Sequence, residues 1–497
     1  MNKLKEPLVY KPLIAGLLLG ISRLPLGLGF LVFFAFIPII SLLKKTSTYK
    51  QLFKAAVIFS FVYTAVCLHW ISLVTAPGLI GMFILFSIYF FLIFALIYFI
   101  SKNHPHFLYF SVAFVWISFE YLQNFGEFSF PWFNLAYSLA DYLPLIQLAE
   151  IGGVYLISGL VLLVNILLYR MASNYRSSFI WLLTIFIIWG GYGVYRLQTI
   201  ELKRHPQKVA IVQVSIPQKQ KWQTFYEQKT LELYSEYTNL AIQEKPDLVI
   251  WPESAIPGYV LHNYKYRNFV KNLALKHKTN IFLGFPDYRR AEGDHPSDYK
   301  YYNSCSQVDS QGRFSQPYDK NILVPFGERM PFLDVFPFLW NVHLGQANWE
   351  YGEGPKYFQF DDLKYSPLIC FEIAFPILTK RIAQDNPDFL VNITNDAWFY
   401  RSAGTYQHAV MTKFRAVETR LQIFRAANTG YSLVVSPTGE ILQKSELFEK
   451  TVLTDNILTY AGKTIFTKYL GWFPLVFVFG AAVFLLISVV RKFLGIS

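Results

Sequence analysis

Residues 366–375 read SPLICFEIAF, an apolar run that carries Cys370 at its centre and Glu372 two positions later. A buried strand has no use for a carboxylate, and the chain of 497 residues spends only three cysteines in all. The run therefore reads as a strand, 366–373, that delivers a thiol to the edge of a sheet. On a strand Glu372 points to the same side as Cys370, so its carboxylate is expected to serve the site.

Around this run lies a segment of short apolar stretches alternating with helical periodicity. Residues 209–214, 247–253, 280–286 and 388–396 read as strands, and 228–243, 262–277 and 406–424 as helices. Further strands near 301–308 and 431–443 are joined by the turns Ser310-Gln311-Gly312 and Pro437-Thr438-Gly439. The alternation indicates layered α/β. Polar residues close three strands: Glu253 after DLVIWP, Cys370 with Glu372, and Asn395-Asp396 after FLVNIT.

Outside this segment the composition changes. The hydrophobic share of 53% and aromatic share of 18% are high for a soluble enzyme and concentrate in eight runs. These lie at about 8–24, 27–43, 53–74, 78–100, 106–123, 147–169, 178–196 and 470–490, each read as a membrane span. The expected organisation is a seven-helix domain over 1–200, a polar domain over 201–465 and an eighth helix with a tail over 466–497. With the N-terminus inside, twelve lysines and arginines fall on inner segments, and Arg23 alone falls on a short outer loop. The polar domain is thereby placed on the outer face, which is the periplasm if the source is a Gram-negative bacterium.

The net charge of +12 belongs in good part to those inner segments, and no nucleic-acid-binding pattern accompanies it. Ionisable groups inside the spans are few, chiefly His69 and Glu120, which argues against a transport path. His69, Trp70 and Trp116 read as interfacial anchors or core groups, and Cys67 as inert. Cys305 and Cys370 are expected to stay unpaired, since one bridge adds little to a core of this size. No metal-ligand spacing and no phosphate loop occurs, so neither metal nor cofactor is expected.

A thiol nucleophile needs a base and a stabiliser for the oxyanion. No histidine occurs in WPES (251–254), YDKNILVPFGE (318–328) or LICFEI (368–373), so a Cys-His pair has no candidate there. What the three motifs hold in order is Glu253, Lys320 and Cys370. In this they resemble the carbon-nitrogen hydrolase (nitrilase) superfamily, whose site is a Glu-Lys-Cys triad on an αββα sandwich. NITNDAWF (392–399), YQHAVMTKFRAVETRLQIFRAANTGYS (406–432) and FPWFNLAYSLADYLPLIQLAEIGGVY (130–155) extend the likeness. With spans before and after, nearly the whole chain resembles the apolipoprotein N-acyltransferase family of bacterial inner membranes.

The resemblance implies acyl transfer in two steps, from a phospholipid such as phosphatidylethanolamine to Cys370 as a thioester, then to the amine of a diacylglyceryl apolipoprotein. It implies Glu253 as base and Lys320 with the Phe371 N–H as oxyanion donors. Glu328 would support the lysine, Asn303 the site and Trp222 the substrate path. Phe371 stands where relatives often carry tyrosine. A monomer is expected.

A membrane half suits a lipid donor, because drawing a 16-carbon chain into water costs roughly 13 kcal/mol at about 0.8 per CH₂. The aromatic segment 332–351, with Gly345 and Gly352 as pivots, reads as a mobile arm over the site. The alternative is a membrane-tethered amidase or nitrilase that hydrolyses its thioester.

Overall fold

The computed structural model describes residues 6–221, 223–291, 297–341, 348–469 and 472–494. Among the described residues five helices are long and apolar enough to cross a membrane: Tyr49–Cys67, Ala76–Asn103, Ala149–Arg170, Tyr175–Thr199 and Phe473–Phe493. The other expected spans are shorter. Pro7–Ile21 and Leu108–Leu122 have 15 residues each, about 22 Å of helix against roughly 30 Å of hydrocarbon. The second expected span divides into a 3₁₀ turn, Gly29–Phe33, and a seven-residue helix, Ile37–Leu43.

That break is satisfied by a neighbour. Asn165, fully buried on Ala149–Arg170, accepts from Phe36 N at 2.9 Å and donates to Val32 O at 2.9 Å. An amide side chain thus replaces the missing helical bonds where no water is available. Arg23 is not on a solvated outer loop. It is 3% exposed and donates to Trp132 O and Asn134 O, fixing the loop that follows Leu108–Leu122.

Among the described residues the polar domain contains twelve strands. β1 (Leu202–Gln213), β2 (Leu248–Ile250), β3 (Asn280–Arg290), β4 (Tyr299–Val308) and β5 (Tyr318–Asp319) form one sheet with β12 (Thr451–Tyr460), in the order β12-β1-β2-β3-β4-β5. The second has the order β11-β10-β9-β8-β7-β6. It comprises β6 (Phe358–Phe360), β7 (Leu363–Ile369), β8 (Phe389–Thr394), β9 (Gln422–Ala427), β10 (Leu433–Val435) and β11 (Ile441–Lys444). β1 and β12 pair antiparallel from Leu202↔Tyr460, so the links to the membrane helices leave the sheet side by side.

Period-two alternation sorts the side chains between layers. Ile250, Phe282, Ile369, Val391 and Phe424 meet between the sheets. Val249, Ile281 and Leu283 face the helices Thr224–Ile242 and Tyr264–His277. On the far side Leu368, Leu390 and Ile423 join Phe414 and Val417 of the helix Ala403–Thr419 in one apolar cluster. That cluster continues without interruption into Trp132, Tyr137 and Ile146 of the membrane half. Ala403–Thr419 is accordingly buried on all sides, Tyr406 excepted.

Two strand and helix ends differ from expectation. The strand expected over 366–373 stops at Ile369, where the chain turns into a 3₁₀ segment, Cys370–Ala374. The helix expected over 406–424 stops at Thr419, because Arg420 is left-handed (φ 56°) and residues 422–427 pair as β9. The apolar period of LQIFRAA is compatible with either structure, and pairing with β8 decides for the strand.

Candidate active site

Each residue of the candidate triad follows the end of a strand: Glu253 after β2, Lys320 after β5 and Cys370 after β7. Cys370 itself has φ +52°, a left-handed conformation that a residue with a Cβ adopts only under constraint. The constraint comes from Glu372. Its carboxylate accepts from Ile369 N at 2.7 Å, Asn321 N at 2.6 Å and the Tyr318 hydroxyl at 2.9 Å. Because the strand has already ended, Glu372 does not share a face with the thiol by pleat parity. It binds the turn of Cys370 to the loop of Lys320, and burial raises its pKa to about 7.

Glu253 is held from two directions. Asn303 Nδ2 donates to its Oε1 at 2.7 Å, and Asn395 N donates to its Oε2 at 2.8 Å. The close packing requires Gly284 beneath it, where a Cβ would lie 2.8 Å from Glu253 Cα. Asn303 also donates to Glu328 Oε1 at 3.1 Å, linking the two carboxylates. Glu328 in turn accepts from Lys320 Nζ at 2.8 and 2.7 Å and from Val324 N at 2.9 Å. Lys320 is wholly buried, so this ion pair is what keeps an ammonium in the interior.

The electrostatics follow from burial and neighbours. Burial raises the carboxyl of Glu253, with Lys320 opposing and Glu328 reinforcing. Burial would lower Lys320, but Glu328, Cys370 and Glu253 outweigh it and hold the ammonium charged. Burial and then Glu253 push the Cys370 thiol up, against Lys320. At neutral pH the resting sulfur therefore keeps its proton.

One wall of the site is apolar and comes partly from the membrane half. The Phe371 ring stacks near Phe130 and Trp132, at 6.0 and 6.3 Å between centroids. Phe399 packs on Trp70 at 4.7 Å. Trp70 and Trp132 are thus core groups of this wall, and both indole N–H groups donate to Gln407 Oε1. The backbone N–H of Phe371 stands in the first turn of the 3₁₀ segment, where no intrahelical acceptor exists.

The structure also assembles groups to which sequence reading attached no role. His408 Nε2 lies 3.1 Å from Cys370 O, and its Nδ1 lies 2.8 Å from Asp396 Oδ1. Arg425 Nη2 donates to Asp396 Oδ2 at 2.8 Å. Lys221, fully buried, donates to Glu253 O at 3.2 Å, and burial lowers its pKa to about 8 against the pull of Glu253. For His408 the available signal was the density of ionisable residues along Ala403–Thr419, a helix otherwise patterned for burial.

Trp222 and Gly345 lie outside the described residues. Of the aromatic segment, Phe332 N donates to Glu127 Oε2 at 3.2 Å, and Gly352 N to Lys320 O at 2.9 Å. Phe128 meets the rings of Phe326 and Phe332, at 6.0 and 5.5 Å. Cys305 and Cys370 are free thiols.

Residues 208–463 match the carbon-nitrogen hydrolase family, and residues 15–167 match the apolipoprotein N-acyltransferase N-terminal domain. The chain is 31% identical to an apolipoprotein N-acyltransferase of Geobacter metallireducens, over 96% of this chain and 95% of that one. It is 27% identical to one of Chlorobaculum tepidum, over 99% and 98%. It is 30% identical to one of Rickettsia prowazekii, over 89% and 91%. Among solved structures, an amidase from Nesterenkonia sp. is similar with a TM-score of 0.40 and 16% identity, over 55% of this chain and 95% of that chain. With relatives matched from end to end and both halves of the chain recognised, the chain belongs to the apolipoprotein N-acyltransferase family of carbon-nitrogen hydrolases.

Proposed function

We propose that this enzyme moves a fatty acyl chain from a phospholipid, by way of a thioester on Cys370, to the N-terminal amine of a diacylglyceryl-cysteine apolipoprotein. Glu253 takes the thiol proton, and the sulfur attacks the ester carbonyl. The oxyanion is met by Lys320 Nζ and the Phe371 N–H, donors of a kind worth roughly 3–4 kcal/mol each. Collapse expels the lysophospholipid alkoxide, which takes the proton back from Glu253. The amine of the acceptor then attacks the thioester, gives its proton to Glu253 and leaves as an amide, with the thiol restored.

The observation that carries this reading is the position of Cys370 between two environments. On one side Glu253 is joined through Asn303 to Glu328 and so to Lys320, and Glu372 ties the loop of Lys320 to the turn of Cys370. On the other lies the aromatic wall shared with the membrane half, contiguous with the core of the helices. A thioester of a long acyl chain finds there both its chemistry and a cover against water.

Phosphatidylethanolamine is proposed as donor and a monomer as the working unit. The inner membrane, with 201–465 facing the periplasm between eight spans, is the proposed location, supported by the asymmetry of lysine and arginine. Glu328, Asn303 and Glu372 are assigned to holding the triad, and Trp222 to the substrate path.

Intact-mass measurement after exposure to phospholipid tests the reading. The expected product is a fatty-acyl adduct that hydroxylamine removes and Cys370→Ala lacks. An identical adduct on the variant overturns it. Release of free fatty acid without acylated peptide, when a diacylglyceryl peptide is supplied, would replace transfer by hydrolysis.

A further inference from the structure

A cavity of ≈ 490 Å³ opens at the other end of the helical bundle from the active site, lined among others by Lys11, Ser41, Lys44 and Ser173, with Ile14 and Leu168 on its apolar side. Its position follows from one helix. Val154 N donates to Glu418 Oε1 of the polar domain, and Leu168 lies 14 residues further along Ala149–Arg170, about 21 Å away by helical rise. The cavity therefore sits at the level where the opposite leaflet keeps its headgroups.

Its chemistry is cationic and unbalanced. Lys11 is only 8% exposed, and its Nζ donates to Ser41 Oγ at 2.8 Å. Among the described residues neither Lys11 nor Lys44 has a carboxylate within ion-pair distance, and Glu6 is engaged by Lys54 at 3.5 Å. A mostly buried ammonium without an anion is costly, and the Ser41 hydroxyl, which accepts from Lys11, keeps its own proton to donate into the pocket. The volume is that of an ordinary small-ligand site.

From this geometry we infer that the cavity binds the phosphodiester of an anionic phospholipid, distinct from any lipid consumed at Cys370. The phosphate oxygens meet the two ammonium groups and the Ser41 hydroxyl, while Ile14 and Leu168 flank the first carbons of the acyl chains. A zwitterionic headgroup fits less well, because its own ammonium finds no carboxylate beside these lysines.

The test uses the full chain carrying Cys370→Ala, so that no turnover consumes lipid, released from nanodiscs into native mass spectrometry with phosphatidylglycerol or phosphatidylethanolamine. Retention of phosphatidylglycerol above phosphatidylethanolamine is expected, falling at least about tenfold with Lys11→Gln and Lys44→Gln together. Lys44→Gln alone, at an exposed position that folding does not depend on, should lose part of that retention, and Lys11→Arg should keep it. Equal retention by parent and double variant overturns the inference. So does thermal stabilisation by inorganic phosphate or glycerol phosphate as large as that given by the lipid, which would assign the site to a free phosphate.

Discussion

His408 touches Cys370 through the backbone and not through sulfur: its Nε2 lies 3.1 Å from the Cys370 carbonyl oxygen. A carbonyl only accepts, so Nε2 carries the proton and holds the nucleophile's turn in its left-handed conformation. Replacing His408 by leucine leaves that carbonyl unpaired, about 1–3 kcal/mol, which is roughly five- to 160-fold in rate. The loss should fall on kcat with KM little changed. His408→Gln, which can still donate, should recover much of it in the same steady-state assay.

In the proposed mechanism Glu253 must be ionised to accept the thiol proton, and burial raises its pKa. The acid limb of kcat should therefore lie above the ordinary glutamate range, activity being lost as pH falls through it. Glu253→Gln should lower kcat by about 10² to 10⁴. The pH-rate profile of the residual activity should no longer show that limb.

Glu328 neutralises a wholly buried ammonium. Glu328→Gln should cost about 3–5 kcal/mol, seen as a lower Tm, because Lys320 is left charged and unpaired. Removing both partners, with Lys320→Met and Glu328→Leu, should destabilise less than the sum of the single changes while abolishing activity.

Glu372 and Glu418 both have pKa values raised by burial to about 7 from an ordinary 4.5. The folded state thus binds more protons than the unfolded one between those values. Stability from these groups is full below about pH 4.5 and is lost as pH rises through 7. Glu372→Gln should flatten this slope of Tm between pH 5 and 7.5, at the expense of one backbone N–H left without an acceptor.

The helix Ala149–Arg170 is broken at Gly152 and Gly153, and Gly153 has φ +64° and ψ −165°. A Cβ there would lie 2.6 Å from the Phe466 ring. Gly153→Ala should destabilise by about 1–3 kcal/mol or more, since both the backbone region and the space belong to glycine. Glu418→Ala should also lower Tm, because Val154 N loses its acceptor at 3.0 Å and Arg415 loses its partner. Thermal unfolding in nanodiscs measures both.

The order WPES, YDKNILVPFGE, LICFEI marked the candidate site by sequence alone, because strand ends with unexcused charges are visible as breaks in apolar runs. Hydropathy likewise separated membrane helices from a layered α/β segment, since burial in lipid and burial between sheets demand different periods of apolar residues. What the chain could not announce is where a strand stops and which distant groups then close around it. Cys370 leaves β7 one residue early because the Glu372 carboxylate gathers N–H groups from two separate loops, and no local pattern encodes a partner 51 positions away. The same holds for His408 beneath Cys370, Glu418 on Val154 and Lys11 beside Ser41: each is a polar group whose role depends on neighbours supplied by packing, while composition and period record only that it is there.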